Sequence, residues 1–211
     1  MFAVNLPRHP GLSSTTRLGP IVSDETSATV RDWLILLTAG VLAACASTFL
    51  DFNLRRIPGH AILRVVFPMA VGLALVPRRG AGTVMGSSAL VTGVALRMSG
   101  FKGDALGFGA LTSLVATGPM LDWTLRRANG GWRQYVSFAL AGLASNLLAL
   151  IVRGTAKAMG WERLGSRPLI EWLAQAAGTY VACGLLAGLL SGLILFYGRG
   201  RVAETSGETE P

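Results

Sequence analysis

Charge is what this chain has least of. Only 14% of its 211 residues are Asp, Glu, Lys or Arg, where a soluble domain carries about 25%. That deficit excludes an ordinary water-soluble globule. Cysteine is nearly absent. Cys45 and Cys183 each lie inside an apolar run, so no disulfide framework is expected and both read as small buried hydrophobes. The two histidines, His9 and His60, are far apart, and there is no Cys-x-x-Cys or His-Glu-x-x-His pattern. No metal site and no cofactor are expected. A Gly-x-x-x-x-Gly-Lys-Ser/Thr loop is missing too, so any ATP hydrolysis belongs to a partner. Like charges form no block: the net +8 is spread over every loop. Nucleic acid is therefore not an expected partner, and lipid headgroups are the simpler counter-charge. Residues 1–31 are rich in Ser, Thr and Pro and lack the apolar core of a signal peptide. They read as a flexible polar tail, and residues 199–211 read the same way.

What remains is apolar. AVILMFWYC residues make up 51% of the chain and 27 residues are glycine, with a mean hydropathy of +0.51. Six apolar runs fill residues 32–198, at 33–50, 61–76, 81–98, 105–121, 135–152 and 174–197. Each has about the length of a membrane helix, which needs about 20 residues. The expectation is an all-α, polytopic integral membrane protein, a bundle of six transmembrane helices with short loops. Pro68 should kink the second helix. The longest loop, 153–170, has room for a short interfacial helix around Trp161. Trp33, Trp123, Trp132, Trp161 and Trp172 all fall at run ends or in loops, where an aromatic belt would place them. Of the 19 Lys and Arg, ten fall on the side of the termini and nine on the other. The positive-inside rule thus gives no orientation.

Small residues recur every fourth position: Gly184-x-x-x-Gly188-x-x-x-Gly192, Ala39-x-x-x-Ala43-x-x-x-Ser47 and Gly82-x-x-x-Gly86. That spacing puts them on one helix face and lets two backbones approach. Ala39, Ala43, Gly184 and Gly188 either pack this chain's own helices or dock a partner membrane protein.

The stretch Asp51-Phe-Asn-Leu-Arg-Arg-Ile-Pro-Gly-His60, between the first two runs, concentrates polar chemistry. Charge beside a membrane span is costly and needs a reason. If the N-terminus is inside, His60, Arg64, Arg97, Asp104, Asn146, Gln175 and Tyr180 gather towards the outer ends of their helices. A cavity there, closed by the 51–60 segment, would bind a small polar solute. Arg64 and Arg97 would hold a carboxylate or phosphate, and Asn146 offers donor and acceptor together. The competing reading is that these side chains reach water or glue helices together. Asp122, after Thr117-Gly-Pro-Met, is expected to pair with Arg126 one turn later.

Two family resemblances follow from these residues. Six short-looped helices, the Ala39-x-x-x-Ala43 face and the lid-like first loop resemble the substrate-binding S components of energy-coupling factor transporters. The segments Ile57–Arg64, Gly80–Gly86, Gly107–Ser113 and Thr117–Asp122 add to that likeness, which covers roughly residues 32–198. The resemblance implies capture of a vitamin-like organic solute at an inner membrane. It also implies docking, through Ala39 and Ala43, on a transmembrane coupling subunit with ATPases. Metal-transporting members begin Met-His, whereas this chain begins Met1-Phe2, so a metal substrate is not expected. The second resemblance is to GxGD aspartyl proteases of the prepilin-peptidase type. Asp51 precedes Ile57-Pro58 at that family's spacing, and Asp104 follows two helices later. Such an enzyme would use two carboxylates sharing a proton to activate water. Phe101 stands where that motif needs glycine, Gly59 replaces the usual Asn, and Ala105-Leu106 replaces Val-Lys.

Overall fold

The computed structural model describes residues 29–50, 59–100, 107–126, 128, 132–161 and 168–206. Those residues form six helices: α1 (Val30–Phe49), α2 (Ala61–Leu75), α3 (Ala81–Met98), α4 (Phe108–Leu125), α5 (Trp132–Ala158) and α6 (Leu169–Ser206). The fold is all-helical, as the apolar runs predict. Three helices are long and apolar enough to cross a membrane: α1, α5 and the Leu169–Leu195 part of α6. α2 is apolar but has only 15 residues. At 1.5 Å per residue it is about 22 Å long, short of a hydrocarbon layer of about 30 Å.

Local signals set the helix starts. Thr29 and Asp32 form a capping box at α1. The Asp32 backbone N–H donates to the Thr29 hydroxyl at 3.3 Å, and the Thr29 N–H donates to the Asp32 carboxylate at 3.1 Å. Gly80 takes a φ of 80° immediately before α3, a conformation that costs other residues more than glycine.

The short helix is the hub. α2 touches each of the other five, and α1, α3, α4, α5 and α6 follow one another around it. Apart from Arg64 its sequence is apolar, and of its residues only Phe67 and Leu75 are exposed. Ile62, Val65, Val66 and Met69 are fully buried. Pro68 lies inside this hub. It has no N–H, so the Arg64 carbonyl lacks its usual helical donor.

Glycine brings neighbouring helices into backbone contact. A Cβ on Gly82 of α3 would meet the Gly118 carbonyl of α4, and one on Gly188 of α6 would lie 2.8 Å from the Ala139 Cα of α5. Pro119 deprives Val115 of a helical donor. The freed Val115 oxygen lies 3.1 Å from where a Cβ of Gly86 would be. Where apolar surface gives no preference for protein over lipid, such contacts hold helices together by dispersion.

The largest departures from the apolar runs are in α5 and α6. α5 continues to Ala158 through residues expected in a loop. Arg153 and Lys157 there lay their charged ends over the Trp172 ring, at 5.8 and 5.0 Å, so the helix keeps packing after its apolar run ends. The turn comes at Gly160, with a φ of 76°. α6 starts earlier than expected, at Leu169. It continues to Ser206, past residue 198 where the helical domain was expected to end.

Candidate functional site

The six helices alternate in direction, so the start of α2, the end of α5 and the start of α6 share one end of the bundle. Asn146 sits near its centre. It is 1% exposed. Its Nδ2 donates to the Tyr180 carbonyl at 2.6 Å and to the Gly59 carbonyl at 3.2 Å. One side chain on α5 thereby ties down both α6 and the residue leading into α2. Gly59 fits because it has a φ of 87° and no side chain, and a Cβ there would lie 3.0 Å from the Tyr180 ring. Asn146 Oδ1 is buried without a hydrogen-bond partner, as is the hydroxyl of neighbouring Ser145. A buried acceptor left unmade is costly, and ordered water or a ligand donor would relieve it.

Charge and aromatic rings extend this centre. Arg153 lies seven residues after Asn146, on the same face of α5 two turns on. Its guanidinium donates to the Tyr180 hydroxyl at 3.5 Å and lies over Trp172. Lys157 is buried against the same indole. Among the described residues, Gly59, Asn146, Tyr180, Arg153, Trp172 and Lys157 therefore form one linked group. Arg153 and Lys157 fall in the stretch that the sequence marks as a loop. The spacing of seven from Asn146 was the signal that could have joined Arg153 to it.

The other expected site residues are placed differently. Arg64 of α2 is half-buried and donates to the Ser47 carbonyl of α1 at 3.4 Å. His60, half-buried, is the residue after Gly59. Arg97 is exposed at the end of α3, with its guanidinium 5.7 Å from the centre of the Phe108 ring of α4. Phe108 in turn lies 6.0 Å from Trp161. Gln175 is exposed on α6. Asn146 and Tyr180 are thus in direct contact, and Arg64 and Arg97 hold to neighbouring helices of their own. Asp51 and Asp104, the carboxylates of the protease reading, lie outside the described residues. Among the described residues, no group of three or more His, Cys, Asp or Glu could hold a metal.

The four candidate docking residues serve the chain's own packing. Ala39 and Ala43 are buried in the core. Gly184 faces Gly142 and Leu143 of α5, and Gly188 faces Phe138 and Ala139.

Asp122 also departs from expectation. It forms no ion pair with Arg126 among the described residues. Its carboxylate instead accepts from the N–H groups of Gly82 and Thr83, at 3.0 and 2.8 Å, and from the Thr83 hydroxyl at 2.7 Å. Gly80 offers α3 no side-chain cap. Asp122 supplies it from α4, satisfying donors that every helix start leaves open and opposing the positive end of the α3 dipole.

Compared with protein-family models, with curated proteins and with solved structures, the chain matches none.

Proposed function

We propose that this chain is a six-span inner-membrane protein that captures a small organic solute at the end of the bundle where Gly59, Asn146, Arg153 and Tyr180 meet. Three candidate spans and a hub helix whose one charged residue is Arg64 support the membrane reading. So do the large apolar side chains left exposed on outer faces, among them Leu34, Leu37, Leu42, Leu186 and Ile194. In a membrane these face lipid.

The observation that carries the solute reading is Asn146 Oδ1. It is a buried acceptor with no partner, on a side chain whose amide nitrogen already holds Gly59, at the entrance to α2, and Tyr180 of α6. A ligand donor would satisfy it, and Arg153 beside Tyr180 suits an anionic group. The solute class is therefore a small molecule with an N–H or O–H donor and a carboxylate or phosphate. Binding would tighten the Gly59 anchor at the entrance to α2, and the chain itself would do no chemistry.

The resemblance to S components extends this reading to an ATP-driven partner complex. Because Ala39 and Ala43 are inside the bundle, docking would use the exposed face of α1 around Leu34, Leu37 and Val41. A thermal-shift screen of the purified protein against small carboxylates and phosphates tests the solute reading. The expected hit stabilises the wild type and not Asn146→Leu. A hit that stabilises both equally would place binding elsewhere.

A further inference from the structure

The opposite end of the bundle has its own chemistry. Asp122 pins the start of α3 to the end of α4, with the Gly82 N–H 3.0 Å from its carboxylate. Arg79, three residues before Gly82, and Arg126, four residues after Asp122, are thereby held on one edge. α5 packs on α4 and brings Arg133, its second residue, to the same end. All three arginines are exposed. Two exposed indoles stand among them, Trp123 at the end of α4 and Trp132 at the start of α5.

Two carboxylates of this end are already engaged elsewhere. Asp122 is spent on the α3 amides and Asp32 on the α1 capping box. The edge therefore presents three guanidinium groups interleaved with indole rings. Tryptophan prefers the headgroup level of a membrane, and basic residues near it are drawn to anionic lipid. Guanidinium can meet a phosphodiester through two parallel hydrogen bonds.

We propose that Arg79, Arg126 and Arg133, with Trp123 and Trp132, form a binding surface for the headgroups of anionic glycerophospholipids. Tryptophan fixes the depth at which the arginines lie, so the surface takes a phosphate anchored at the interface in preference to one free in water.

The test is native mass spectrometry of the full chain released from bilayer discs of equimolar phosphatidylglycerol and phosphatidylcholine. The wild type should retain phosphatidylglycerol preferentially. The variant combining Arg79→Gln, Arg126→Gln and Arg133→Gln should lose that preference by about tenfold or more, since each basic residue near an anionic surface counts for about fivefold. Arg97→Gln, at the other end, should keep it. If the triple variant does not fold, the single Arg126→Gln variant and a salt titration of the wild type replace it, and the preference should fall with Arg126 and with rising salt. Equal retention of the two lipids by the wild type, or an undiminished preference in the folded variants, overturns the proposal. Displacement of the lipid by soluble glycerol phosphate at similar concentration also overturns it, because the site would then be one for a free phosphate.

Discussion

Asn146 of α5 and Tyr180 of α6 are joined by a 2.6 Å hydrogen bond from the asparagine amide to the tyrosine carbonyl. The same nitrogen reaches Gly59 at the entrance to α2, so one buried side chain connects three parts of the bundle. Asn146→Ala should lower stability by about 1 kcal/mol, the usual scale for a polar contact between membrane helices. Ser145→Ala is the matched control. Its hydroxyl is buried without a partner, so removing it should be neutral or stabilising. Thermal unfolding in detergent, with the two variants side by side, checks the contrast.

Asp122 accepts three hydrogen bonds from the start of α3. Asp122→Ala leaves the buried Gly82 amide and the part-buried Thr83 amide without a cap. A lost cap alone costs about 1 kcal/mol, and the buried Gly82 donor raises that cost. Asp122→Asn keeps one acceptor oxygen and should fall between wild type and Asp122→Ala. Asp32→Ala, at an exposed cap, should cost less than Asp122→Ala. Unfolding midpoints of the three variants give the order.

Glycine contacts predict a sharp difference between positions on one helix. In Gly188→Ala the new methyl meets α5 backbone, and in Gly118→Ala it meets the α3 backbone at Gly82. Both variants should be clearly destabilised, because backbone cannot move aside as a flexible side chain can. Gly178 has nothing within 4 Å of its would-be Cβ. Gly178→Ala should leave stability unchanged or raise it by at most about 1 kcal/mol through helix propensity.

Orientation follows from the lipid-binding edge. The anionic lipids of a cell membrane attract basic segments to its cytoplasmic face. The end bearing Arg79, Arg126 and Arg133 should therefore face the cytoplasm, with the Asn146 end outside. A cysteine placed at Arg126 should resist a membrane-impermeant maleimide on intact cells, and one placed at Gln175 should react. The reverse pattern would contradict this orientation.

Much of the helix layout was legible because a hydrophobic run needs no partner to be recognised. The run at 81–98 coincides with α3, and the run at 61–76 ends within a residue of α2. The end of α5 was not legible, since Arg153 and Lys157 look like loop residues until Trp172 of α6 lies beneath them. The role of Asp122 was hidden for the same reason. Local spacing pointed to Arg126, but its partners are on another helix, 39 and 40 residues away in sequence. At the site, Asn146 and Tyr180 could be named singly as polar residues in apolar runs. Their contact, and the part Arg153 plays, required the packing of α5 on α6. Ala39, Ala43, Gly184 and Gly188 showed their spacing in the sequence, but only the packing shows which surface that spacing serves.

The central claim is that the Asn146 centre holds a small solute, and native mass spectrometry of the purified full chain tests it most directly. The wild type, taken from cells in rich medium, should carry a small organic adduct with an anionic group and a hydrogen-bond donor. Asn146→Leu, if it remains folded, should carry none. A wild type that never retains such an adduct, or an Asn146→Leu variant that retains it equally, would contradict the account.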